Sequence, residues 1–381
     1  MVSIKRLLRR ITMEKLVINE PLTLKCGVTL KNKLIMAPMT TKMSYFDGVI
    51  TTDELNYYAL RSGEVGAVIT AAANVQEIGK GWEGELGVYS DIHLDGLSKL
   101  ASTIKKKGTK AILQIFHAGR MTDNKILRGE QPVAPSAVKA ERPDAIVPRE
   151  LSESEILQLI EDFKRATVRA IKAGFDGVEI HGANTFLIQQ FFSPHSNRTS
   201  DRWGGSVEKR FTFINQLVDS IIHTVNNYAH APFIVGYRFS PEEHETPGIR
   251  FKDTLYLVKQ LANKNIDYLH VSLNDYKRIS MSHEYKEKTI LEYIHETINE
   301  KVPLIGIGDV RTREDAENVV QHSELIGLGR ILLSEPHWVN KVLTNKENLI
   351  RVNISQEDRE ELVITNGVWG FLEDMMPERL I

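Results

Sequence analysis

Eight short apolar runs separated by helical patterns constrain this chain more than any other feature. They lie at 33–39, 65–73, 110–117, 177–183, 233–240, 268–273, 302–310 and 324–330. Most are rich in Val and Ile, as strands covered on both faces are. Helical patterns fall between most of them, at 94–107, 152–173, 207–228, 251–264, 290–299 and 312–322. Ser152 and Glu155 have the spacing of a capping box, and Glu314 and Asp315 put acid into a first turn after Thr312. Strands alternating with helices in this number predict an α/β fold, a (β/α)8 TIM barrel in one domain. A doubly wound sheet is the alternative. It would usually carry G-x-G-x-x-G after an early strand, and here only Gly306-Ile307-Gly308 occurs, late in the chain.

Three segments stand outside the alternation. Residues 1–12, MVSIKRLLRRIT, are basic without the apolar centre of a signal peptide. They read as a flexible extension, with Met13 as an alternative start. Residues 123–150 carry Pro132, Pro135, Pro143 and Pro148, an insertion of the kind that covers a barrel rim. The barrel is expected over 13–345. The tail at 346–381 contains Trp369, Phe371, Met375 and Met376 and is expected to be helical, packed on the barrel or on a partner subunit in a homo-oligomer.

Bulk properties exclude several classes. Net charge is −2, so nothing draws the whole chain to nucleic acid. No apolar run approaches the ~20 residues of a membrane span. Cys26 is the sole cysteine, which rules out an internal disulfide and a cysteine-based metal cluster and fits a reducing, cytoplasmic setting. No metal is expected.

The polar residues at the strand ends outline a site. The stretch 177–210 opens as a buried strand, ends at His181 and Asn184, and runs on into a long polar loop. Thr40, Ala72, Gln114, Arg238, Gly308, Gly329 and Arg330 occupy corresponding positions after other strands. Barrels commonly bind phosphate after strands seven and eight, where Gly308, Gly329 and Arg330 fall. A phosphate site, neutral hydrogen-bonding groups at Thr40 and Gln114, and a cation on strand five suit a flat heterocycle with a phosphate tail. Flavin mononucleotide (FMN) fits, with Arg238 placed to stabilise negative charge on the reduced ring.

The motifs Ala37-Pro38-Met39-Thr40, Gln114 to Arg120 (QIFHAGR), Pro132 to Ser136 (PVAPS), Gly174 to His181 (GFDGVEIH), Ser193-Pro194, Trp203-Gly204-Gly205-Ser206 and Gly329-Arg330 are ordered along most of the chain. In them the sequence resembles the Old Yellow Enzyme family of FMN-dependent NAD(P)H oxidoreductases. The resemblance implies that Ala37, Pro38, Met39 and Thr40 contact the flavin ring, that Ala72 offers backbone to it, and that Gln114 meets its pyrimidine edge. It implies Arg238 beside N1 and O2, and Gly308, Gly329 and Arg330 at the phosphate. His181 and Asn184 would grip an electrophilic oxygen above the ring, with Phe186 beside the substrate. The implied activity is a ping-pong cycle in which NADH or NADPH reduces FMN, and hydride then passes from N5 to a small electrophile: a quinone, a nitro compound, a flavin or an α,β-unsaturated carbonyl.

Two departures qualify that expectation. The family usually has a proton-donating tyrosine where this chain has Phe186. In the loop 197–201, Arg198 lies one residue after the asparagine rather than two. Phe186 keeps open an alternative, an FMN-binding protein with lost or altered catalysis. Other FMN barrels, such as hydroxyacid oxidases, would not place His-x-x-Asn before Ser-Pro and Trp-Gly-Gly-Ser.

Overall fold

The eight expected strands form and close on themselves. In the computed structural model they are β1 (Leu34–Met36), β2 (Ala67–Asn74), β3 (Lys110–Phe116), β4 (Gly177–Gly182), β5 (Ile234–Phe239), β6 (Tyr268–Val271), β7 (Leu304–Ile307) and β8 (Leu325–Leu328). Each pairs in parallel with its sequence neighbours, and β8 with β1 completes the ring. The structure describes residues 16–381, so the expected extension at 1–12 and the alternative start at Met13 lie outside the described residues. Among these residues no helix is long and apolar enough to cross a membrane.

Alternation along the strands divides their side chains between two regions. Outward residues such as Leu113, Val178, Ile180, Val235 and Leu269 join the main core beneath the helices. Inward residues Ile35, Ile69, Ile112, Ile234, Tyr268, Ile305 and Leu325 form a separate cluster that fills the lower barrel. A hairpin of two-residue strands, Leu22–Thr23 and Thr29–Leu30, closes that end with Leu24, Val28 and Leu30. One inward step higher, the interior changes character: Gln114, Glu179 and His270 replace the aliphatic side chains, all buried. The barrel is thus apolar at its base and polar toward its C-terminal rim.

The helices are α1 (Thr52–Arg61), α2 (Leu94–Lys105), α3 (Glu153–Lys172), α4 (Leu187–Phe192), α5 (Val207–Tyr228), α6 (Phe251–Leu261), α7 (Ile290–Ile298), α8 (Arg313–Val319), α9 (Ile331–Ser334), α10 (Trp338–Leu343) and α11 (Asn366–Met375). The Ser152–Glu155 capping box starts α3, and Thr312 with Asp315 forms another at α8. Short α4 sits on α5 through the stacked rings of Phe191 and Phe213, whose centroids are 3.9 Å apart. In the tail, Trp369 is buried within its own chain, and α11 leans over the rim between the loop after β1 and α9.

Sequence periodicity does not reveal α1, because its inner face is Glu54, Tyr57, Tyr58 and Arg61 rather than aliphatic. Arg61 is buried and spends its guanidinium on backbone. Nε donates to the Leu332 carbonyl at 2.9 Å, and Nη2 donates to Leu333 at 3.1 Å and Leu362 at 2.8 Å. Its Cζ lies 3.8 Å from the Tyr57 ring centroid. One side chain therefore ties α1, α9 and the tail together, and α9 follows directly on Arg330. Arg61→Met leaves those carbonyls buried without donors and should cost about 3 kcal/mol. A urea midpoint unchanged from the parent would contradict this.

Candidate active site

The turn after β4 sets the first two groups. Asn184 and Thr185 both take positive φ, 56° and 64°, which bends the chain sharply from β4 into α4. The bend is held by Ser240 Oγ, which accepts from the Asn184 amide at 2.8 Å. The Asn184 side-chain oxygen accepts from Ser272 Oγ at 2.9 Å, which leaves Nδ2 free to donate to a ligand. His181 Nδ1 accepts from the Ala183 amide at 3.4 Å, so the proton sits on Nε2. Burial, then the charge of Arg238, then His270 hold His181 well below the ordinary histidine range. It is a neutral donor at physiological pH. Two neutral N–H donors three residues apart suit an oxygen that gains negative charge.

A cavity of about 630 Å³ opens at the rim, within the range of small-ligand sites. Ala37, Pro38, Met39, Thr40, Asn184, Arg238, Gly329 and Arg330 line it, as expected. The other expected residues lie elsewhere. Gly308 is buried against the loop after β6: its φ is 140°, and a side chain there would meet the Tyr276 nitrogen at 2.3 Å, so backbone conformation and close packing both call for glycine. Ala72, Gln114, His181 and Phe186 form a layer beside the cavity. Ala72 packs with Phe116, Ala118, Trp82 and Phe186. The Phe186 ring lies 5.1 Å from that of His181 and 5.0 Å from that of Phe116.

Several site residues escaped the sequence reading. At the β7–β8 end, Asp309 Oδ1 meets Arg330 at 3.0 Å and Arg379 at 2.8 Å, while Oδ2 meets Arg311 at 2.8 Å. Asp309 gathers three guanidinium groups, with Asp315 and Glu378 also acting on Arg311, and of the three arginines Arg330 faces the cavity, where it suits a phosphate. Both contacts of the Arg330 guanidinium run through Nη2, to Asp309 and to the Asn274 carbonyl, so Nε and Nη1 remain for an anion. From the tail, Val368, Phe371, Met375 and Met376 supply an apolar wall. Beneath Arg238, whose Nε is buried without a partner, lie Glu179 and His270. Glu179 did carry a readable signal, a lone charge inside an apolar strand. The residues present fit FMN: a cationic phosphate end, a buried arginine for the pyrimidine side, and apolar walls for the ring.

His117 is buried, and its Nε2 has no partner. Burial pushes its ring down to about 3 from the ordinary 6.5. Between those values the unfolded chain binds a proton that the folded chain does not. Stability from this group therefore falls as pH drops below 6.5, by at most about 1.4 kcal/mol per pH unit. Urea midpoints from pH 7 to pH 4 should fall less steeply in His117→Gln, and equal slopes would contradict the assignment.

Comparison with known proteins shows the family to which the chain belongs. The sequence profile of the NADH:flavin oxidoreductase / NADH oxidase family matches residues 18–348. The chain is 43% identical to NADH:acrylate oxidoreductase of Vibrio harveyi over 94% of its own length, yet it spans only 36% of that protein. It is 41% identical to the probable NADH-dependent flavin oxidoreductase YqiG of Bacillus subtilis, covering 92% of this chain and 94% of that one. Among solved structures, the old yellow enzyme homologue from Zymomonas mobilis superposes with a TM-score of 0.77 at 26% identity, over 91% of this chain and 96% of the other. The chain belongs to the NADH:flavin oxidoreductase / NADH oxidase family, the FMN-dependent NAD(P)H oxidoreductases of Old Yellow Enzyme type.

Proposed function

We propose that this protein oxidises NADH and passes the reducing equivalents to a small electrophile that needs no proton from residue 186, with quinones, nitro compounds and free flavins ahead of enones. The observation that carries the acceptor class is Phe186, whose ring sits 5.1 Å from His181 and has no proton to give. NADH as donor is supported by the names of both relatives quoted above.

FMN, when bound, supplies the two-electron exchange between nicotinamide and acceptor. The chain's own residues do the rest. Arg330, with Arg311 and Arg379 close by, would hold the phosphate end, and Arg238 would serve the pyrimidine side. His181 Nε2 and Asn184 Nδ2 donate to the acceptor oxygen as it gains charge. Because burial keeps His181 neutral, it stabilises that charge as a donor without being a ready proton source. Trp82, Phe116 and Phe186 form an apolar wall beside these donors. The intact donor pair argues against the binding-only alternative.

Installing the missing proton donor tests the acceptor class. A well-placed general acid contributes about 10²–10⁴-fold. Phe186→Tyr should raise turnover of cyclohexenone at least about tenfold, while menadione turnover stays within about twofold of the parent. No gain on cyclohexenone, or an equal gain on both, would contradict the proposal.

A further inference from the structure

The upper interior of the barrel holds a buried carboxylate that the proposed chemistry does not use. Glu179 is fully buried on β4, and each of its oxygens has one partner. Oε1 accepts from Gln114 Nε2 of β3 at 2.6 Å, and Oε2 accepts from His270 Nδ1 of β6 at 2.8 Å. Arg238 of β5 lies between β4 and β6 in the sheet, in register with His181 on one side and His270 on the other. Four neighbouring strands thus each contribute a polar inward residue to one cluster. Glu179 lies one inward step below His181, while Arg238 is level with His181 in the sheet.

Two consequences follow from the chemistry of a carboxylate. It only accepts hydrogen bonds, so Gln114 must turn its NH₂ toward Glu179, and its carbonyl oxygen is left for a ligand donor. It also carries charge. Burial pushes the Glu179 carboxyl up, but His270, Arg238 and the Gln114 amide outweigh burial and hold it below the ordinary value. His270 is held down by burial and is neutral at pH 7. The cluster therefore contains one negative group, Glu179, opposite one positive group, Arg238.

We propose that Glu179 is a positioning residue for the flavin site: it fixes the Gln114 amide so that its carbonyl meets the pyrimidine N–H, and its charge offsets Arg238, keeping the FMN potential lower than Arg238 alone would set it. This rests on the FMN reading above. Reduced flavin carries more negative charge than oxidised flavin, so an uncompensated Arg238 stabilises the reduced state. A residue serving packing alone would affect stability and leave the potential where it was.

The test is the two-electron midpoint potential of the FMN-loaded protein, measured by anaerobic equilibration with a reference dye. Glu179→Gln keeps the shape and removes the charge. It should raise the potential by an amount matching a tenfold or greater shift toward reduced flavin, about 30 mV for a two-electron couple. In an Arg238→Gln background, where the starting potential is lower, the same substitution should raise the potential by a similar amount, because the two charges act on the ring additively. Glu179→Asp keeps the charge and shortens the reach to Gln114. It should hold the parental potential while binding FMN at least about threefold more weakly. An unchanged or lowered potential in Glu179→Gln overturns the proposal, as does the absence of any shift in the Arg238→Gln background. Should Glu179→Gln fail to fold or to retain FMN, Glu179→Asp decides: a potential raised like that expected for loss of charge overturns the proposal. A parent that binds no FMN overturns the functional reading and this inference with it.

Discussion

Everything in this molecule depends on eight parallel strands closing into a ring. Parallel pairing points all eight C-terminal ends the same way, so residues far apart in sequence meet on one rim. Closure comes from β1, which pairs with both β8 and β2. It brings Thr40, after β1, to the same cavity as Arg330, after β8. The inward positions then grade from Ile112, Ile234 and Ile305 at the base to Gln114, Glu179 and His270 above. The apolar base holds the barrel together, and the polar residues above it lie toward the rim that carries the cavity.

Charge is arranged differently at the two ends of the site. At the β7–β8 end it is concentrated: Asp309 holds Arg330, Arg379 and Arg311 close together despite their mutual repulsion. Arg379 comes from the tail, so the C-terminal segment helps to build the site as well as covering the barrel. At the other end charge is balanced. Arg238 faces the buried Glu179, and the histidines on either side are neutral. A phosphate needs strong fixed attraction. A redox ring needs a field that does not overly favour one of its states.

The eight strands were legible in the sequence because strands buried on both faces are continuous apolar runs, and each was located to within a few residues. Helix α1 was not legible, because Glu54, Tyr57, Tyr58 and Arg61 face inward and give no apolar period. Helix α4 has six residues, too few for a period to show. In the site, residues inside local motifs, such as Pro38, Thr40 and Asn184, could be placed in advance. The close packing and positive φ of Gly308 could not, since a glycine required for packing looks the same in sequence as one required by a ligand. The arginine cluster was invisible for another reason. Its members sit at 309, 311, 330 and 379, and only the fold makes them neighbours.

The central claim is that this cavity holds FMN and takes electrons from NADH. Anaerobic stopped-flow absorbance of the purified, FMN-loaded protein tests it most directly, with NADH and NADPH mixed in separately. NADH is expected to bleach the flavin band rapidly, and NADPH more slowly. A flavin band that neither nucleotide bleaches would contradict it, as would a protein that cannot be loaded with FMN.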